Sequence, residues 1–175
     1  MNVDDLKSAI RDVPDFPVEG IIFKDITPVL KDPELFKYAM SLFEAQFAGK
    51  GITKVAAIDA RGFIFGGILC ERLGLGFVPI RKKGKLPYKT YEESYELEYG
   101  EATLEIHQDA FEPGDRVILI DDLLATGGTA AASAKLIEKA GGKVVQIQFL
   151  IELAFLNGRE KISGYDVYVP IIEKG

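Results

Sequence analysis

Four short apolar runs constrain the fold most: Val55-Ala56-Ala57-Ile58, Phe77-Val78-Pro79-Ile80, Val117-Ile118-Leu119-Ile120 and Val144 to Ile151. None alternates apolar with polar residues, so each reads as a strand covered on both faces, as in a parallel sheet between layers of helix. Pro79 lacks an amide donor and argues against a central place for the second run. Helical patterns fall between the runs. Asp32 caps a helix with Pro33 in its first turn and a stripe of Leu35, Phe36, Met40, Phe43 and Phe47, ended by Gly49 and Gly51. A second helix is expected over Phe63 to Leu73, and a third over Thr129 to Ala140, stopped by Gly141-Gly142. Strand alternating with helix predicts an α/β fold, a central mostly parallel sheet flanked by helices with right-handed crossovers.

The 175 residues suit a single domain, 1–175. A chain of that size buries roughly 70% of its unfolded surface and needs neither disulfide nor structural metal. The lone Cys70, in the apolar run Ile68-Leu69-Cys70, reads as a buried, inert thiol. Residues 84–106 break the strand-helix rhythm. Tyr95, Leu97 and Tyr99 alternate with Ser94, Glu96 and Glu98, and Leu104 and Ile106 alternate with Thr103, Glu105 and His107. That pattern predicts an antiparallel flap after a long loop, with Glu96 and Glu98 on its solvent side. His107 reads as a surface residue.

A net charge of -6 and a pI near 4.9 argue against nucleic-acid binding. The local exception is Arg81-Lys82-Lys83-Gly84-Lys85, which suits an anionic small molecule. Met1 to Ile10 is polar rather than a basic stretch before an apolar core, and every apolar run is far shorter than the roughly 20 residues of a membrane span. A cytoplasmic location with no membrane partner is expected.

The richest stretch runs from Val117 to Thr129: a hydrophobic strand, Asp121-Asp122, then Leu123-Leu124-Ala125-Thr126-Gly127-Gly128-Thr129 leading into a helix. Ligands of open α/β sheets bind beyond the carboxyl ends of strands. Unpaired amides at a helix start, glycines that let the backbone wrap an anion, and threonine hydroxyls together form a phosphate cradle. Two carboxylates beside it repel a second phosphate but accept hydrogen bonds from sugar hydroxyls, so the whole fits a ribose 5-phosphate. It is not a P-loop, since the loop carries no lysine and lacks the required glycine spacing, and no dinucleotide fingerprint is present.

This strand, acid pair and loop resemble the signature of the type I phosphoribosyltransferases. The resemblance implies their fold, with a small N-terminal hood at about residues 1–30 and a flexible flap at about 84–106. It implies that Ala125, Thr126, Gly127, Gly128 and Thr129 hold a 5-phosphate and that Asp121 and Asp122 hold the ribose hydroxyls, with Mg²⁺ bound through substrate nearby. Phe16-Pro17, Gly20 to Pro28, Ala60-Arg61-Gly62-Phe63, Arg81 to Pro87, Leu97 to Gly100 and Leu123-Leu124-Ala125 further resemble the branch of the family that acts on adenine. That branch implies transfer of the phosphoribosyl group of phosphoribosyl pyrophosphate to adenine, giving AMP and pyrophosphate, by a homodimer. Ile22, Phe23, Lys24 and Leu123 would then hold adenine, with Phe23 stacked on the base. Backbone groups of Ile22 and Lys24 would match its 6-amino edge, and polar matching of that kind discriminates strongly. Arg61, Arg81, Lys82 and Lys85 would grip pyrophosphate, Arg81 at the neighbouring subunit's site. Glu98 would handle a proton and Tyr99 would order the substrate. A cis peptide at Asp59-Ala60 is also implied. The alternatives are an enzyme for a 6-oxo purine, a regulator that keeps the site without catalysis, and a plain nucleotide-binding module.

Overall fold

The computed structural model describes residues 1–175, which divide into two compact units, Met1–Gln46 and Phe47–Gly175. In the first, helix α1 (Val3–Ala9) starts from a reciprocal cap: the Asn2 side chain accepts from the Asp5 amide at 3.1 Å, and Asp5 accepts from the Asn2 amide at 2.7 Å. Strands β1 (Arg11–Pro14) and β2 (Ile22–Asp25) form an antiparallel hairpin. Two directly opposed residue pairs carry opposite charge, Arg11 with Asp25 and Lys24 with Asp12. Helices α2 (Thr27–Leu30) and α3 (Pro33–Ala45) follow. Asp32 caps α3 as expected, accepting from the amides of Glu34 and Leu35. Met40 and Phe43 of the expected stripe join Leu6, Ile26, Val29 and Ala39 in the core of the unit. The helix ends earlier than Gly49, because the Gln46 amide turns back to Phe43 and closes the last turn tightly.

The second unit is built on an eight-stranded sheet. Its elements are β3 (Lys54–Ile58), α4 (Arg61–Leu73), β4 (Gly76–Lys82), β5 (Thr90–Glu96), β6 (Glu101–His107), β7 (Arg116–Leu124), α5 (Gly128–Lys139), β8 (Lys143–Leu153), β9 (Val167–Tyr168) and β10 (Ile171–Glu173). The order is β10-β8-β7-β3-β4-β6-β5, with β9 also paired to β8. All pairings are parallel except β4 with β6 and β5 with β6. The four apolar runs are the neighbouring strands β8, β7, β3 and β4. Strand β6 pairs with β4 only at Arg81 and Lys82, so Pro79 lies where β3 is the sole neighbour. Its missing donor therefore breaks no second ladder.

Successive strand residues face opposite layers. Val117 and Leu119 pack with Ala130, Ala134, Leu136 and Ile137 of α5. On the other face α4 comes close because of Gly66, where a Cβ would stand 2.8 Å from the Ala57 methyl and 3.4 Å from an Ile120 methyl. Ile118, Leu119 and Ile120 are fully buried, each side chain contributing roughly 1.5–3 kcal/mol. The expected flap is the β5–β6 hairpin, in register from Thr90 opposite His107 to Glu96 opposite Glu101. The alternation stops at Glu96, and Leu97 and Tyr99 are exposed in the hairpin tip. Residues 163–175 contain β9 and β10.

Candidate active site

Strands β3, β4 and β7 are parallel, so the segments after them meet at one edge of the sheet. Strand β7 is longer than its apolar run predicts. Its pairing with β3 stops at Ile120, but β8 continues to pair with it as far as Leu124. Asp121 and Asp122 thus lie inside the strand, not after it. The start of α4 occupies the side that β3 vacates: a Cβ on Gly62 would fall 2.8 Å from the Ile120 carbonyl oxygen and 3.2 Å from Asp121 Cα.

The two acids have separate roles in the structure. Asp122 is buried and accepts a hydrogen bond from Nε of Arg61, the first residue of α4. The Arg61 side chain remains 45% exposed, so its cation can still meet a ligand. The peptide before it, Asp59-Ala60, is cis, as the resemblance implied. Asp121 accepts from the Asp122 amide at 2.8 Å and faces a hollow of about 80 Å³. Burial pushes its carboxyl well above the usual carboxylate range, and the charge of Asp122 pushes in the same direction.

Leu123, Ala125, Thr126, Gly127 and Thr129 line the same hollow, with Phe149 of β8. Gly127 turns the chain at φ +88°, and α5 begins at Gly128, one residue before the sequence pattern suggested. No side chain caps this helix. The first amides of α5 thus have no side-chain acceptor, and Gly127, Thr129 and Ala130 at the positive end of the helix dipole line the hollow. Two contacts that sequence reasoning missed hold the loop. Gly158, in the 3₁₀ turn Gly158–Ile162, lies against it so closely that a Cβ on Gly158 would fall 2.3 Å from the Ala125 carbonyl oxygen. Tyr95 of β5 places its hydroxyl 2.8 Å from Thr129 Oγ1 and its ring over Gly128, where a Cβ would stand 2.7 Å from the ring. The only sequence signals were an unassigned glycine and a tyrosine in the flap alternation.

Arg81, next to last in β4, is tied within its own chain, donating to Asp59 at 2.9 Å and to the Lys85 carbonyl at 3.2 Å. Lys82, Lys83 and Lys85 are exposed, and Lys83 pairs with Glu92. Glu105 of β6 is buried. It accepts from the Gly84 amide at 2.7 Å and the Thr90 hydroxyl at 2.5 Å, joining the ends of the basic loop. Glu98 and Tyr99 occupy the exposed hairpin tip, Tyr99 at 88% exposure. Among Ile22, Phe23 and Lys24, Ile22 is exposed, Phe23 packs edge-on against Phe16, and Lys24 pairs with Asp12. His107 is half-buried against Tyr88 rather than free on the surface. Cys70 is buried, its thiol pushed up to about 11 by burial, which leaves it inert at neutral pH. No three His, Cys, Asp or Glu side chains are grouped to hold a metal ion.

Residues 30–174 match the model of the phosphoribosyl transferase domain, and the chain belongs to that family. The relatives it resembles include adenine phosphoribosyltransferases. It is 56% identical over 167 residues to the adenine phosphoribosyltransferase of Caldanaerobacter subterraneus subsp. tengcongensis, covering 95% of this chain and 96% of that one. The crystal structure of adenine phosphoribosyltransferase from Thermoanaerobacter pseudethanolicus superposes with a TM-score of 0.95 at 53% identity, covering 98% of this chain and 100% of that one. The Saccharomyces cerevisiae enzyme, solved with adenine and an imino-altritol bisphosphate, superposes at 0.91 with 40% identity, covering 96% and 97%. The fold is that of the type I phosphoribosyltransferases.

Proposed function

We propose that this chain transfers the 5-phosphoribosyl group of phosphoribosyl pyrophosphate to adenine, releasing pyrophosphate and giving AMP. The observation that carries this reading is the hollow lined by both the uncapped start of α5 and Asp121. Amides and the Thr126 and Thr129 hydroxyls suit the 5-phosphate, and the acid suits the ribose hydroxyls. The bond from ribose C1 to pyrophosphate breaks as the bond from C1 to adenine N9 forms, with inversion and loss of the N9 proton. Arg61, Lys82 and Lys85 take the negative charge of the departing pyrophosphate, and Glu98 on the flap tip receives the proton. Arg61 leaves Asp122 or bridges it to the anion when pyrophosphate binds. Closure of the flap excludes water from the activated sugar. The chain contributes positioning and electrostatics rather than a covalent intermediate.

Asp121 and Asp122 are hard oxygen donors too few for a cage, a set that fits Mg²⁺ held mainly through substrate, where its charge offsets that of pyrophosphate. The proposed adenine contacts are those the family resemblance implies, Ile22, Phe23, Lys24 and Leu123, and the similarity to adenine phosphoribosyltransferases supports the choice of base. A homodimer is proposed from the family resemblance, which sets the basic stretch Arg81 to Lys85 at a subunit interface. Light scattering tests it, and a monomer at micromolar concentration would exclude it. No helix is long and apolar enough to cross a membrane, and a cytoplasmic location is proposed.

The test is product analysis with phosphoribosyl pyrophosphate, Mg²⁺ and each of adenine, hypoxanthine, guanine and xanthine. AMP should form at far the highest kcat/KM. Preference for a 6-oxo purine would overturn the base assignment, and no transfer to any base would overturn the enzyme reading.

A further inference from the structure

We infer that Tyr95 is a positioning residue that commits the Thr129 hydroxyl to donating its proton to the 5-phosphate. This rests on the reading of Thr129 as a phosphate ligand and adds the residue that sets its hydrogen-bond direction. The Tyr95 and Thr129 hydroxyl oxygens are 2.8 Å apart, and each hydroxyl has one proton. A phenol is a better donor and a poorer acceptor than an aliphatic alcohol. Tyr95 therefore donates into Thr129 Oγ1, and the Thr129 proton is left for another acceptor. A phosphate has only acceptor oxygens, so this is the orientation that phosphate binding needs. Without the tyrosine, a threonine in the first turn of a helix can rotate its hydroxyl to a main-chain carbonyl instead. The chain from phenol to alcohol to anion is also cooperative, each bond polarising the next.

A second observation places Tyr95 at the loop independently of its hydroxyl. Its ring covers Gly128, and any Cβ there would collide with the ring at 2.7 Å. The ring is packed against the core cluster that contains Ala130 and Leu124 on either side of the loop. The hydroxyl is thus aimed by packing. Tyr95 also belongs to β5, the strand that leads into the flap tip, so the phosphate loop and the base of the flap are in direct contact.

The experiment compares dissociation constants for AMP, which carries the 5-phosphate, and for pyrophosphate, which does not. Tyr95→Phe removes only the hydroxyl. It should weaken AMP about three- to tenfold and leave pyrophosphate unchanged, a selectivity that general loosening of the fold would not produce. Thr129→Val should weaken AMP about tenfold or more, and Tyr95→Phe should then add nothing. In a Thr129→Ser background, which keeps the hydroxyl, the cost of Tyr95→Phe should reappear. If Thr129→Val weakens AMP but Tyr95→Phe does not, or if the two losses simply add, the positioning role of Tyr95 is refuted while Thr129 stands as a phosphate ligand. If Thr129→Val leaves AMP binding intact, both readings fall together.

Discussion

Gly127 and Gly158 press backbone against backbone: a Cβ on Gly127 would stand 2.4 Å from the Gly158 carbonyl oxygen. Gly158 meets the Ala125 carbonyl oxygen just as tightly, so the turn after β8 fixes the floor of the phosphate loop. Neither side offers a flexible side chain that could move aside. Gly158→Ala should force the loop apart, cost about 1–3 kcal/mol as overpacking does, and weaken AMP binding more than pyrophosphate binding. Gly164→Ala is the control, because nothing lies within 4 Å of a Cβ there. Equal melting temperatures and AMP affinities for the two variants would remove Gly158 from the account.

Asp121 is a stability cost that function retains. Its carboxyl is raised in the folded protein by burial and by Asp122. The unfolded chain gives up that proton at lower pH, so the contribution to stability is full below the ordinary carboxylate range and is lost as pH rises through the raised value. Asp121→Asn keeps an oxygen for the Asp122 amide and carries no charge. The variant should melt higher at pH 8, by about 2–4 °C for each kcal/mol recovered, with the gain shrinking toward pH 4. Its kcat/KM should fall by about 100-fold, since the ribose hydroxyls lose a charged acceptor. Unchanged melting at pH 8 would mean that the carboxylate is solvated after all.

Asp115 behaves in the opposite sense, away from the site, at the amino end of β7. Burial pushes its carboxyl up, but hydrogen bonds from Lys54, the Glu112 amide and Thr53 outweigh burial and hold it below the usual range. Its contribution to stability is present above the ordinary carboxylate range and is lost as pH falls through the lowered value. Asp115→Asn should lower the melting temperature by several degrees at pH 7, and the difference from the parent should narrow below pH 4. Turnover measured well below melting should be retained, because Asp115 touches nothing at the carboxyl edge of the sheet.

The sequence was most legible where one segment decides its own structure. The four buried strands, the Asp32 cap and the acid pair followed by a glycine loop are local patterns, and each is present. Reading failed where a partner distant in sequence decides. Strand β7 runs on to Leu124 only because β8 is long enough to pair with it. Alternation sets Glu105 opposite Leu104 and Ile106 and says nothing of Gly84 and Thr90, whose two donors allow the carboxylate to be buried. Leu97 and Tyr99 continue the apolar alternation of Tyr95 yet lie past the point where the hairpin turns, and the Leu97 amide bonds the Gly100 carbonyl instead. Gly158 left no signal at all beyond the absence of a side chain.

Glu105 supports the last prediction, which concerns the basic loop. The Thr90 hydroxyl, chiefly, holds its carboxyl below the usual range, with the Gly84 amide adding to this and burial working against it. One oxygen takes each donor, so the carboxylate clamps residues 84 and 90 and thereby fixes the loop that carries Lys85, next to Lys82 and Lys83. Glu105→Gln can still accept one of these bonds, but its amide group faces the other donor and opens that end. Pyrophosphate and phosphoribosyl pyrophosphate should bind more weakly, by about tenfold, while AMP affinity is unchanged, the reverse of the selectivity expected for Tyr95→Phe. Trypsin should also cut faster after Lys82, Lys83 and Lys85 in the folded variant. Thr90→Val, which removes one donor and leaves the Gly84 clamp, should show the same pattern at smaller amplitude. Equal loss of AMP and pyrophosphate affinity would show instead that Glu105 supports the whole sheet edge, and the basic loop would lose its assigned anchor.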